Sequence, residues 1–311
     1  VSWSLVLAIF LSGQVALLLL GLPVAVAFFA VNIVGAFYFM GGYSGELQLV
    51  RNTVDAVANF VLSPIPMFIL MGEVLFQTGV AQKAIGAVDR LIARVPGRLS
   101  LVAVAGGTVF AALSGSTMAN TALLGSTLMP EMRRRGYHPS MAMGPILGTG
   151  GIAMLIPPSA LAVLLASLGE IPVGDLLIAG ILPGLLMATL FFGYVVIRCK
   201  LNPALAPSYD IGMLSLRERL VPVLTHVVPL FILFAIVVGS ILAGIASPTE
   251  SASLGAVGAV LACGVYRALS RESLARALVE TAKISAMIFF IVAAAITFSQ
   301  ILTFSGATSG L

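Results

Sequence analysis

Two short clusters in this chain combine hydroxyls with backbone irregularity, and both sit inside otherwise apolar sequence. The first is Ser114-Gly115-Ser116-Thr117, and the second is Pro157-Pro158-Ser159, preceded by Gly150-Gly151. A turn at membrane depth exposes unpaired backbone groups, which is tolerable only where it is buried in protein or lines a watery cavity. A hydroxyl-rich, Gly-containing tip in that setting suits an ion or a small solute. Proline has no N–H and clashes with the preceding helical turn, so Pro157 and Pro158 leave nearby carbonyls free to act as ligands. A broken helix facing a hairpin tip is how many secondary transporters build a site near the bilayer midplane.

The elements that must position these clusters follow from lengths and flanking charge. Leu99–Leu113 and Met118–Met129 flank the first cluster. As helices they span about 18–23 Å, too short for a hydrocarbon core of about 30 Å. Arg90, Arg94 and Arg98 precede them and Arg133-Arg134-Arg135 follows. Positive charge at both ends places both ends in the cytoplasm. The reading is a re-entrant hairpin over 97–131, followed by a helix over 141–168 interrupted at Gly150-Gly151 and at the proline pair.

Composition sets the frame. Of 311 residues, 59% are hydrophobic and 9% charged, the signature of an all-α polytopic membrane protein. A net charge of +4 is too small to imply a nucleic-acid partner, and the bilayer is the expected environment. Cys199 and Cys263 are far apart and form neither a disulfide framework nor a metal motif. The N-terminal stretch lacks the basic region and cleavage site of a secretory signal and reads as a first membrane helix.

In chain order, Trp3–Leu20 and Leu22–Met40 are apolar helices. Residues 46–62 carry Leu47, Val50, Val54, Val57 and Val61 at helical spacing, with Glu46, Arg51, Asp55 and Asn59 elsewhere. That pattern predicts an amphipathic helix lying in the interface. Pro64–Thr78 crosses, and 82–95 is amphipathic again, with Ile85, Val88, Leu91, Ile92 and Val95 on one side. Asp175–Ile197 is a full crossing, and Asn202–Leu220 is a polar cytoplasmic connection. Val221–Ala243 crosses outward, and Ser247-Pro248-Thr249-Glu250 opens the returning helix. Residues 267–283 form another amphipathic cytoplasmic helix, and Ile284–Phe304 a further crossing. The basic clusters put the N-terminus outside, with Arg51 a lone exception.

The order of elements suggests an inverted repeat. Amphipathic helix, crossing, Thr78-Gly79 recurs as amphipathic helix, crossing, Ser305-Gly306, at an offset of roughly 227 residues. The domains expected are a first repeat over 1–200, a connection over 201–220 and the start of a second repeat over 221–311. The first repeat divides into scaffold helices 1–78, an arm at 82–95, the hairpin, the broken helix and the crossing 175–197. A complete second repeat would run about 115 residues further, so the chain is expected to be C-terminally truncated and to carry one side of a pocket.

SGSTMANTALLGSTLMPEMRRRGY, followed by GGIAMLIPPS, AGILPGLL and SPTESA, resembles the large membrane subunit of TRAP transporters (tripartite ATP-independent periplasmic transporters, DctM type). The resemblance covers nearly the whole chain in the right order. It implies a sodium-coupled, elevator-type secondary importer of organic acids, a C4-dicarboxylate or related carboxylate, and no enzymatic activity. It also implies a small membrane subunit and a periplasmic substrate-binding protein as partners. The location implied is the bacterial inner membrane, with the N-terminus in the periplasm.

By the same resemblance, Ser114, Gly115 and Ser116 with Gly150, Gly151 and Pro157 would hold sodium. Ser116, Thr117 and Asn120 with Pro158 and Ser159 would hold substrate. Thr117 stands where Ser is common, and Met118 is bulkier than usual. The residues themselves agree: carbonyls and hydroxyls ligate sodium without fixed charge, and the helix starting after Ser116 offers free N–H groups to a carboxylate. No Arg or Lys lies between Leu99 and Pro130.

Blander readings apply elsewhere. Gly106, Gly107, Gly125 and Ser126 read as close-packing residues. Glu73, inside a crossing, is either functional or a hydrogen-bonded carboxylate near the inward end. Glu250 reads as a helix-start residue, and Arg133 to Arg135 as orientation signals. An intramembrane hydrolase with Ser116 as nucleophile would need a nearby base, and His138 and His226 both lie in cytoplasmic positions. A channel or a non-transporting scaffold subunit is the other alternative. Sodium-dependent accumulation against a gradient separates a carrier from both.

Overall fold

The computed structural model describes residues 3–92, 95, 97–207 and 215–308. Its described residues are helical with short connections. In order these are α1 (Trp3–Leu19), α2 (Val24–Phe39), α3 (Tyr43–Ala58), α4 (Pro64–Gln77), α5 (Val80–Leu91), α6 (Arg98–Ser114) and α7 (Thr117–Arg134). Then come α8 (Pro139–Leu155), α9 (Ala160–Leu168), α10 (Val173–Leu201), α11 (Leu216–Pro222), α12 (Val228–Leu242), α13 (Pro248–Val265) and α14 (Arg271–Phe304). Single 3₁₀ turns lie at Phe60–Leu62 and Pro203–Leu205, and a π turn at Val223–Val227 joins α11 to α12.

Length and composition make this a multi-pass membrane protein. Among the described residues, Phe60–Gln77, Val173–Leu201, Leu216–Leu242 and Arg271–Phe304 are each long and apolar enough to cross, and the bent pair α8–α9 could make a fifth span. The exterior is apolar, as a lipid solvent requires. Along α10 only Leu177, Gly184, Val195 and Cys199 are buried, while Leu182 and Leu190 are exposed.

The chain forms two compact units, residues 1–60 with 283–311, and residues 61–282. In the first, Val6, Phe10, Ala36, Leu49 and Ile301 make the core, and Phe28 meets Phe298 edge to face at 5.3 Å. Buried polar groups there are paired across helices. Asn32 Nδ2 donates to Ala294 O at 2.7 Å, and Asn52 Nδ2 to Gln300 Oε1 at 2.6 Å. Leu47, Val50, Val54 and Val57 point outward from α3, while Leu49, Asn52 and Ala56 are buried. The apolar stripe therefore faces away from the protein, as an interfacial helix requires.

The second unit holds both irregular clusters. α4 packs on α13, and α6, α7 and α10 all pack on α8. Ser247 and Glu250 form a capping box at the start of α13, with Pro248 in its first turn. This agrees with the reading of Glu250 as a helix-start residue.

Four expectations need correction. Residues 267–304 are not an arm plus a separate crossing, because one 34-residue helix runs from Arg271 to Phe304. No Gly or Pro interrupts that stretch, so nothing stops propagation. The helix at 82–95 is shorter, ending at Leu91, with Ala93, Arg94 and Pro96 outside the described residues. Of its apolar side, Ile85 and Val88 are buried against protein, where α6 closes over them, while Leu91 stays exposed. Gly150-Gly151 does not interrupt α8, which runs on to Leu155. Finally, Gly125 is not a packing residue, since a Cβ there would meet nothing within 4 Å. Gly107 is one: its Cβ would lie 2.8 Å from Leu124 Cδ1 and 2.9 Å from Thr149 Oγ1.

Candidate functional site

α6 and α7 are the two arms of a hairpin. Gly107, eight residues before Gly115, abuts Leu124, eight after Ser116. The open end closes where Leu99 N donates to the Tyr137 hydroxyl at 3.3 Å. The reversal is made by Gly115, at φ +56°, and by Ser116 in extended conformation. Ser116 then caps α7, its Oγ accepting from Ala119 N at 3.2 Å. Ser114 Oγ accepts from Ser116 N at 3.4 Å.

The second cluster breaks a helix as its prolines dictate. α8 ends at Leu155, residues 156–159 are non-helical, and α9 departs at 48°. Ser159 caps α9, its Oγ accepting from Ala162 N at 3.1 Å and donating to Met154 O at 2.9 Å.

These two breaks meet. Gly115 lies against the Pro158 carbonyl so closely that a Cβ would overlap it, and Ser159 Cα would be 3.4 Å away. Two helix C-termini, of α6 and α8, and two N-termini, of α7 and α9, therefore converge on one spot. The C-terminal ends present carbonyls to a cation, and the N-terminal ends present N–H groups to an anion. Ser114, Pro157, Pro158 and Ser159 are all buried, whereas Ser116 and Thr117 are half-buried.

Asn120 sits one turn into α7 and is fully buried. Its Nδ2 donates to Thr149 O at 3.0 Å, tying the hairpin to α8. Its Oδ1 is buried without a hydrogen-bond partner among the described residues. Such an oxygen is an open acceptor.

Thr117, Gly150 and Gly151 lie on an adjoining open groove of about 570 Å³, with Met118, Thr121, Ala122, Leu147 and Met154. Gly150 lets α7 close in, since its Cβ would meet Thr121 Oγ1 at 2.7 Å. The carbonyls of Gly150 and Gly151 lie within the α8 ladder and do not face a break. The expected site residues thus fall into two groups. Ser114, Gly115, Ser116, Pro157, Pro158 and Ser159 are at the two breaks, and Thr117, Gly150 and Gly151 are on the groove beside them, with Asn120 buried between α7 and α8.

Sequence reasoning missed Thr149 and Thr121. Thr121 follows Thr117 by four residues and so shares its helix face, a signal that was available. Thr149 acts through its backbone carbonyl, which leaves no mark in the sequence. Glu73 is buried in α4 and accepts from Gln77 Nε2 at 3.1 Å. His138 accepts from Ser140 N as an N-cap, and His226 lies in the π turn. Among the described residues, no three His, Cys, Asp or Glu side chains cluster as metal ligands.

Residues 11–311 match the family model of the tripartite ATP-independent periplasmic transporter, DctM component. The chain is 34% identical over 276 residues to the C4-dicarboxylate TRAP transporter large permease protein DctM of Pseudomonas aeruginosa, covering 84% of this chain and 63% of that protein. It is 32% identical over 299 residues to the ectoine TRAP transporter large permease protein TeaC of Halomonas elongata, covering 96% and 69%. It is 30% identical over 290 residues to the 2,3-diketo-L-gulonate TRAP transporter large permease protein YiaN of Escherichia coli, covering 92% and 66%. The chain thus spans about two thirds of the length of these relatives. Helical membrane architecture, hairpin, broken helix and these similarities lead to one assignment: the chain belongs to the DctM family of TRAP transporter large permease proteins, which are transport proteins and not enzymes.

Proposed function

We propose that the protein is the permease subunit of a sodium-coupled secondary importer of organic acids, acting with a small membrane subunit and a periplasmic binding protein. It would sit in a bacterial inner membrane with its N-terminus in the periplasm. The observation that carries the sodium reading is Asn120 Oδ1, buried and unpartnered among the described residues, one turn into α7 from the hairpin tip. A neutral oxygen in that position stabilises a monovalent cation without demanding a second charge. Carbonyls of Ser114, Gly115 and Pro157 and the hydroxyl of Ser116 would complete the ligand set, with Gly150 and Gly151 following Thr149, whose carbonyl holds Asn120.

The substrate carboxylate would lie at the N-termini of α7 and α9, with Ser116, Thr117 and Thr121 as hydroxyl partners and Pro158 and Ser159 as the wall. Bound sodium would offset its charge, since no Arg or Lys stands between Leu99 and Pro130. Relatives named for C4-dicarboxylate and 2,3-diketo-L-gulonate support a carboxylate. Transport would carry the hairpin and broken helix together as one body, because their contacts at Gly115 and Asn120 are easier to move intact than to rebuild.

The test is thermal unfolding of the purified protein in sodium chloride against choline chloride at equal ionic strength. A site that binds only the folded state stabilises it by about 1.4 kcal/mol at ten times Kd. Wild type should melt higher in sodium, and Asn120→Ala should lose that rise. Equal melting of wild type in both salts would end the sodium reading.

A further inference from the structure

Gly72 lies in α4 among bulky neighbours, Met71, Glu73 and Val74. It is a place where α4 closely approaches the hairpin tip. A Cβ at position 72 would lie 2.6 Å from Ser114 O and 2.7 Å from Ser114 Cα. Both atoms are backbone, so no side chain can swing aside to make room. On its other side the tip abuts the Pro158 carbonyl through Gly115. The reversal is therefore gripped between two stretches of backbone, α4 and the α8–α9 break, and each grip depends on a missing Cβ.

The gripped atom matters chemically. Ala111 O takes the Gly115 N–H at 3.2 Å, so the carbonyls of Ala112, Leu113 and Ser114 lie in the last turn of α6, beyond the reach of its own N–H groups, and that of Ser114 rests against α4 at Gly72. The Ser114 carbonyl is thus both a candidate ion ligand and the atom that α4 fixes.

We propose that Gly72 is a positioning residue for the ion site: by admitting the Ser114 backbone it sets where that carbonyl stands relative to Asn120 Oδ1 and the break. This rests on the sodium reading above. A side chain at 72 moves the carbonyl, and loss of an outer support of a metal site typically weakens affinity about 10- to 100-fold.

The experiment measures the sodium concentration giving half-maximal thermal stabilisation, with melting in choline as the sodium-free reference. Gly72→Ala should raise the half-saturating concentration about tenfold or more. Gly255→Ala is the packing control in α13, where a Cβ would meet Met71 Sδ at 2.8 Å and Val237 Cγ2 at 2.9 Å. It should lower melting in choline and leave half-saturation unchanged. Gly125→Ala, facing open space in α7, should leave half-saturation unchanged and raise melting slightly, by the helix propensity of about 0.5–1 kcal/mol.

A variant that does not fold is covered by hydrogen exchange on wild type. Sodium should slow exchange in segment 70–76 together with 112–119. A wild-type half-saturation in folded Gly72→Ala, or sodium protection of the tip without α4, overturns the role of Gly72 alone. No sodium effect on wild type overturns both this role and the sodium reading beneath it.

Discussion

Ser116 and Ser159 begin the two helices that start on either side of the Gly115–Pro158 contact, and their backbones are nearly the same. Their φ/ψ values are −117°/115° and −131°/113°, and each hydroxyl accepts from the N–H three residues on. They differ in the rest of the hydroxyl. Ser159 is fully buried and also donates to Met154 O. Ser116 is half-buried, and among the described residues its oxygen makes only the cap. The cause lies in the preceding backbone. At the proline break the chain turns by 48°, so the last carbonyls of α8 stay within reach of Ser159. At the tip, left-handed Gly115 reverses the chain and carries the α6 carbonyls away from Ser116. One motif therefore yields a hydroxyl that both caps and donates and another that only caps.

The largest expected effect removes the contact that brings the two caps together. Gly115→Val adds a branched side chain at φ +56° and against Pro158 O. Left-handed strain of about 1–2 kcal/mol and overpacking of about 1–3 kcal/mol should together lower stability by about 2–5 kcal/mol. Sodium should then give no thermal stabilisation. A variant that melts like wild type in choline would mean that the tip and the break are independent.

Ser159→Ala comes next. It loses a cap and the bond to buried Met154 O, together about 1–3 kcal/mol. Its sodium half-saturation should stay within about threefold of wild type, a change of about 0.65 kcal/mol or less. Ser116→Ala should show the opposite balance, a stability loss of about 0.5–1 kcal/mol in choline with sodium half-saturation raised about tenfold. Normal sodium activation in well-folded Ser116→Ala would remove the tip hydroxyl from the site.

Much of this was legible because membrane sequence has few variables. Two short apolar runs called for the chain reversal that joins α6 to α7, and the proline pair for the break between Leu155 and Ala160. The two corners read as equivalent, Thr78-Gly79 and Ser305-Gly306, do share a conformation. Both glycines are left-handed, at φ +75° and +73°, and each donates to the carbonyl three residues back.

The lead-in to these corners differed, and periodicity could not show it. α3 and α4 are separated at residues 59–63, ahead of Pro64 and Pro66, whereas α14 has no proline and runs straight through the corresponding stretch. An amphipathic pattern followed by an apolar one describes either case. Contacts made through backbone were also hidden. Gly72 is one small residue in an apolar run, and Thr149 contributes only its carbonyl to Asn120. Gly150-Gly151 misled for the opposite reason: glycine permits a break but does not force one, and here its use is close approach to Thr121.

The smallest expected effect belongs to the far end of α6, which serves as a reference for the tip. There Arg98, nearly buried, pairs with Asp89 of α5 at 2.9 Å and also donates to the Asp89 carbonyl oxygen at 2.6 Å. Burial pushes the Asp89 carboxyl above the usual carboxylate range, and Arg98, Arg135 and Arg90 only partly oppose it, with Glu131 adding to the rise. A carboxyl whose folded pKa exceeds its unfolded one takes up a proton on folding as the pH falls. Its contribution to stability is therefore lowest at neutral pH and grows on acidification through the raised pKa. Asp89→Asn keeps the backbone acceptor for Arg98 and cannot titrate. Wild type should accordingly gain on Asp89→Asn, by at most about 2 °C in melting midpoint, as the pH falls from 7 towards 4. The gain should be the same in sodium and in choline, because this end of the hairpin carries no ion ligand. A wild type that instead loses ground to Asp89→Asn on acidification would show that attraction to Arg98 outweighs burial. A gain that depends on sodium would mean that the two ends of the hairpin are coupled.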